Sequence, residues 1–131
     1  MSQGNVEIVR RLYAEVTAHL ETPQELLGPN FKMDARDVAV EFSVGGFQAA
    51  EEALRDYWGM FENFRVELKE VIHADDEHVV TRVRDGGWMK GSDAEVWNAF
   101  FHVWTFGGGK IIRLSTHNDR NRALEAAGLK E

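Results

Sequence analysis

The sequence predicts an α+β fold in which helices cover one face of a curved antiparallel sheet. Three observations carry this. Helical periodicity fills the first half of the chain, and strand-like segments fill most of the second. The stretch Glu95 to Asn118 holds two aromatic and β-branched runs around Gly107, Gly108 and Gly109, a long hairpin signal. Within its first run Phe100, His102, Trp104 and Phe106 point one way, and Trp97, Ala99, Phe101, Val103 and Thr105 the other. Both faces are apolar, so helices and a pocket account for one and the second needs its own cover. The expected cover is a second copy of the chain, seated on Trp97, Phe101 and Val103.

Each element has its own local reason. Asn5 is placed to cap a first helix whose apolar stripe runs through Val6, Val9, Leu12, Tyr13, Val16 and Leu20. Thr22-Pro23-Gln24-Glu25 is a capping-box start, and Gly28-Pro29 stops that helix after one or two turns. Asn30 to Asp34 reads as a short strand, with a second at Val38–Phe42 before Gly45-Gly46. From Gln48 a helix presents Ala50, Leu54, Tyr57, Trp58 and Phe61 on one face, with Glu51, Glu52, Arg55 and Asp56 toward water. Strands follow at Phe64–Ile72, His78–Lys90 and the hairpin, separated by the polar turns Ala74–Glu77 and Gly91–Asp93. Asp119 and Gly128 bracket a short C-terminal helix.

A chain of 131 residues is one domain's worth, 1–131, with room for a real core. A net charge of −7 makes nucleic acid and anionic membrane surfaces poor partners. With no cysteine there is no disulfide or thiolate zinc site, and no apolar run approaches the ~18–20 residues of a membrane span. MSQGNVEIVR contains no apolar signal core, so the expected location is cytoplasmic. His73, His78 and His117 sit on separate segments without ligand spacing, and GGGK is a hairpin turn, not a phosphate loop opening a helix. Neither a metal nor a cofactor is expected. Trp58, Phe61, Trp88 and Trp104 would line a cavity for a flat apolar organic ligand, with Asn98 and His102 as polar groups on the pocket side. Arg82 and Arg84 share strand parity; they either point inward, toward Asp34 or an acidic ligand group, or lie in water at the sheet edge.

The run FHVWTFGGGKIIRLSTHNDRNRALEAAGL resembles the SnoaL-like branch of the nuclear transport factor two-like superfamily. LLGPNFKMD and ALRDYWGMFENFRVELKEVIHADDEHVVTRVR are similar to that family's middle portion, although Ala50 stands where a Gly usually precedes the helix. The resemblance implies a cone-shaped sheet wrapped around the N-terminal helices, a pocket at its open end, and dimerisation through the sheet. It also implies candidate chemistry. His102 matches a pocket histidine of SnoaL-type polyketide cyclases, while their acid/base aspartate falls on Thr116, which cannot shuttle a proton near neutral pH. Similarity to ketosteroid isomerases instead makes Asp34 a general base, with Tyr13 and His102 as the two oxyanion donors. Limonene-type epoxide hydrolases bridge two aspartates with an arginine; Arg82 matches the arginine, but Arg84 and Thr116 replace the acids.

The expected protein is therefore a homodimeric binder of a small apolar molecule. If catalytic, it runs cofactor-free isomerisation, cyclisation or water addition through Asp34 and His102. The competing readings are a non-catalytic ligand-binding or dimerisation module and a scaffold whose pocket is filled by its own aromatics.

Overall fold

The computed structural model describes residues 2–35 and 42–129. Helix α1 spans Ser2–His19 and buries Val9, Leu12, Tyr13 and Val16, the expected stripe. It begins three residues before Asn5, so the Asn5 amide does not cap. Instead its Nδ2 donates to the carbonyls of Asp75 and Asp76 at 3.1 and 3.2 Å, tying the helix to a distant turn. The Thr22 capping box is not formed either: the turn shrinks to a 3₁₀ segment, Gln24–Leu26, flanked by Pro23 with no side-chain cap.

Strand β1, Leu27–Ala35, starts earlier than Gly28-Pro29 suggests. Strand β2 is Phe42–Gly45; the rest of the expected Val38–Phe42 strand lies outside the described residues. Helix α2, Phe47–Trp58, opens one residue ahead of Gln48 and buries Ala50 within it. The long strands are β3 Phe61–Ala74, β4 His78–Met89, β5 Glu95–Gly107 and β6 Lys110–His117, followed by α3, Arg120–Ala126. The Asp119 side chain caps α3 by accepting from the Arg122 amide at 3.0 Å, as expected.

The six strands of the described residues lie in the order β2-β1-β6-β5-β4-β3. All neighbours are antiparallel except β1 and β6, so the sheet is mixed, not purely antiparallel. Short hairpins force antiparallel pairing only between strands consecutive in sequence, and no such link joins β1 to β6. Curvature has two sources in the sequence. Register shifts interrupt β3 against β4 at three places, each adding local twist. At Gly86 (φ +150°) a Cβ would lie 1.9 Å from the Val96 carbonyl oxygen, so only glycine lets β4 press this closely on β5.

The bent sheet has two faces with different cover. Its concave face joins α1 and α2 in the main core, with Val79, Val83, Trp104, Phe106 and Ile111 from the sheet. On the convex face Val80 and Val103 pack beneath Ala123 of α3 and Ala127 just past its end, with Phe101 and Ile72 partly buried beside them. Part of the second apolar face is thus covered by the chain's own C-terminal helix, a contribution the alternation pattern did not reveal. No helix among the described residues is long and apolar enough to cross a membrane.

Candidate functional site

A cavity of about 730 Å³ lies between the concave sheet face and the two long helices. Helix α1 contributes Leu12, Tyr13 and Val16; α2 contributes Ala50, Leu54, Tyr57 and Trp58 from the stripe that helical spacing defines. β1 presents Leu27, Phe31, Met33 and Ala35, and β5 presents Asn98, Phe100, His102 and Trp104. The walls are mostly apolar. Polar groups gather at two places.

The first is built on the cross-strand pair Thr81–His102. The Tyr13 hydroxyl sits between them, 2.8 Å from Thr81 Oγ1 and 2.9 Å from His102 Nδ1, and accepts from Trp104 Nε1 at 2.9 Å. Rings reinforce the knot: Tyr13 stacks on His102 with centroids 5.9 Å apart, and Trp104 meets both edge-on. Burial, then electrostatic repulsion from the His117 side chain, pushes His102 down to about 3, so its imidazole is neutral near pH 7. Burial likewise raises the Tyr13 phenol, which stays protonated. Since Tyr13 occupies Nδ1, Nε2 is the nitrogen left for a ligand. Thr116 pairs with His102 across β5 and β6 and lines the same part of the cavity.

The second place is four residues further along β4, at the cross-strand pair Asp85–Asn98. Tyr57 donates its hydroxyl to Asp85 Oδ1 at 2.5 Å, and Asn98 Nδ2 donates to the Tyr57 oxygen at 2.9 Å. Asp85 is 8% exposed, and burial pushes its carboxyl up to about 6 against the pull of the Tyr57 and Asn98 hydrogen bonds. Burial and the Asp85 charge together raise Tyr57. Two other acids line the cavity, both from α2. Asp56 is exposed, and Glu51 accepts from Arg55 at 3.2 Å. Glu51 was expected to face water, yet its side chain is only 12% exposed.

The structure sorts the sequence-derived candidates by strand parity. Tyr13 and His102 come into contact, and Trp58, Asn98, Trp104 and Thr116 line the cavity with them. Asp34 does not join them. Met33 and Ala35 face the cavity, so Asp34 between them turns to the convex face, where Arg113 grips its fully buried carboxylate at 3.0 and 3.1 Å. Arg82 and Arg84 also face outward, bonded to Glu70 at 3.3 Å and Glu67 at 2.7 Å. Arg82 and Arg84 are therefore surface residues, and among the described residues no inward arginine bridges acids as in the epoxide hydrolase arrangement. Trp88 is 43% exposed and lines a separate cleft with Arg65 and Asn63, away from the cavity. Phe61 is buried against Tyr57, with ring centroids 5.4 Å apart, behind the lining and not in it.

Asp85, Tyr57 and Thr81 are site residues that sequence reasoning missed. A signal was present: with charged Arg82 and Arg84 outward, Thr81, Val83 and Asp85 must point in. Among the described residues no cluster of three His, Asp or Glu side chains could hold a metal ion.

Such a helix-lined, unclosed sheet around a cavity defines a class of small pocket-bearing α+β proteins. Residues 3–114 match the SnoaL-like domain family, and the chain belongs to it. Solved structures agree on the fold. Bal32a, from a soil-derived mobile gene cassette, is 22% identical with a TM-score of 0.75, covering 88% of this chain and 89% of its own. A SnoaL-like polyketide cyclase assignment from a Jannaschia species is 20% identical at a TM-score of 0.73, covering 88% and 85%. An epoxide hydrolase-like protein of M. tuberculosis is 18% identical at a TM-score of 0.69, covering 90% and 84%. At these identities the likeness is one of fold. Among curated proteins, none matches the sequence.

Proposed function

We propose that the chain binds a small, mostly apolar carbonyl compound in this cavity and moves a proton on it without a cofactor, Asp85 being the proton-transfer group. One observation carries the reading: a buried carboxyl in an apolar cavity, fixed by Tyr57 at 2.5 Å and raised to about 6. Near pH 7 such a group is mostly ionised, yet close enough to its pKa to take a proton from carbon and return it. Tyr57 and Asn98 both donate to the carboxylate, which keeps acceptor capacity for a substrate proton. This assignment replaces Asp34, whose carboxylate faces Arg113. His102, neutral in this setting, is a hydrogen-bonding partner and not the second titrating group. Isomerisation, cyclisation and water addition all begin or end with such a proton transfer.

The test is solvent deuterium exchange at the carbons beside a ketone, followed by NMR with 2-tetralone. The protein should accelerate exchange, and Asp85→Asn should lose about 10²–10⁴ of that acceleration. Equal rates for the variant would remove Asp85 from the chemistry. Binding of 2-tetralone with no exchange at all would favour the competing class, a ligand carrier without turnover.

For assembly, we propose a homodimer through the convex face. The original expectation centred on Trp97, Phe101 and Val103, but Val103 is 1% exposed beneath α3. The patch now favoured is Trp97, exposed Ala99 and half-buried Phe101. A light-scattering mass of two chains that falls to one in Phe101→Glu supports it, and a single-chain mass for the parent sinks it.

A further inference from the structure

We infer that the cavity is built for an elongated, flat, apolar molecule that carries a hydrogen-bonding group at each end, one end held at His102 and Thr116 and the other at Asp85 and Asn98. The inference rests on the reading of Asp85 above and adds the shape of what it acts on. Its basis is the register of β4 and β5. Thr81 pairs with His102, Val83 with Phe100 and Asp85 with Asn98, three successive rungs on the concave face without a register shift. The outer two rungs are polar and the middle one is apolar. At a strand rise of about 3.3 Å, four residues separate the polar rungs by ~13 Å. A hydrogen bond of about 2.8 Å at either end leaves roughly 7–8 Å between the ligand's own polar atoms. That is the reach of a flat bicyclic skeleton substituted at opposite ends.

Each end has a group to spare. Tyr13, Thr81 and Trp104 satisfy one another and His102 Nδ1, which leaves Nε2 and the Thr116 hydroxyl for the ligand. A neutral imidazole with Thr116 beside it accepts from or donates to a hydroxyl. At the other rung Tyr57 and Asn98 take two of the roughly four acceptor sites of the Asp85 carboxylate, which leaves capacity for the ligand. Phe100 on the sheet and Trp58 on α2 supply apolar walls that also line the cavity. Two polar rungs separated by an apolar one reward a two-ended molecule over a one-ended molecule, because an unoccupied polar rung is desolvated without a partner.

Calorimetric titration with four naphthalene probes tests this on the intact chain. 2,6-Dihydroxynaphthalene, with hydroxyls at opposite ends, should bind about tenfold more tightly than 2-naphthol, the gain of one satisfied end. The 2,3-isomer carries both hydroxyls at one end and should bind like 2-naphthol. Naphthalene should be weakest. Thr116→Val, which keeps the shape of the side chain, should reduce the 2,6-diol's advantage over 2-naphthol. Equal affinity for the 2,6- and 2,3-diols, an undiminished advantage in Thr116→Val, or no measurable binding of any probe would each overturn the two-ended site. The catalytic reading fails separately: the diol preference would survive a result in which Asp85→Asn keeps full exchange activity.

Discussion

Replacing Asp85 by Asn keeps a hydrogen-bond acceptor for Tyr57 and removes one titrating group from the cavity. In the folded chain that carboxyl is raised to about 6 from an ordinary 3.8, so the native state holds a proton that the unfolded chain has released. Stability from this group is therefore present below about pH 3.8 and is lost as pH rises through about 6. The shift of roughly two units corresponds to ~3 kcal/mol. His102 works in the opposite sense: lowered to about 3 from 6.5, it stays neutral while the unfolded chain protonates, so its contribution is lost as pH falls below 6.5. In the shared window the two slopes nearly cancel, one proton against one. Asp85→Asn removes one arm and exposes the other. Urea unfolding followed by tryptophan fluorescence from about pH 4 to about pH 7 should show the variant gaining ~3 kcal/mol relative to the parent as pH rises. Stability profiles that run parallel across that range would refute an elevated Asp85 pKa and the burial argument behind it.

Two further outcomes separate structural charge from functional charge. Asp34→Asn should leave 2-tetralone exchange within about twofold of the parent, since its ion pair with Arg113 lies on the far side of the sheet. Arg113→Leu should destabilise by about 3 kcal/mol in chemical denaturation by stripping a partner from a fully buried carboxylate, also without loss of exchange in the folded fraction. Gly86→Ala would set a Cβ 1.9 Å from the Val96 oxygen; a loss of about 3 kcal/mol or more is expected, and a variant as stable as the parent would mean β4 and β5 do not approach so closely there.

The fold was legible because its signals are periodic and redundant. The stripe of α1 and the alternation of β5 each repeat over several residues, and one misread residue changes neither. Parallel pairing of β1 with β6 was not legible, because it joins segments far apart in sequence with no local tie (Leu27 pairs with Ile111, and Met33 with Leu114). Half of the site followed the same logic: Tyr13 and His102 lie on those long periodic elements, and they meet. Asp34 came from the resemblance to ketosteroid isomerases, and strand alternation between Met33 and Ala35 sends its side chain through the sheet, away from the cavity. On β4 the shared parity of Arg82 and Arg84 left their face open, and with it the inward face of Asp85.

The distribution of charge across the sheet carries the final step. On the convex face nearly every ion has a partner in water: Glu67 with Arg84 and Lys69, Glu70 with Arg82 and Arg120, and Trp97 flanked by the Arg84 and Arg65 guanidinium groups at 4.1 and 5.3 Å. Exposed pairs of this kind cost the fold almost nothing and add little. On the concave face the described residues keep one acid on the sheet, at a cost near neutral pH of ~3 kcal/mol, with only neutral donors beside it. Burial alone would favour Asn at that position, which accepts the same hydrogen bond and carries no charge. A chain that retains the costlier residue on the concave face of its sheet and pairs the charges of the convex face is trading stability for proton transfer. The trade has a signature: near pH 7, Asp85→Asn should be the more stable protein and the less active one. A variant that is less stable and equally active would make Asp85 a structural residue, and the cavity a binding site without chemistry.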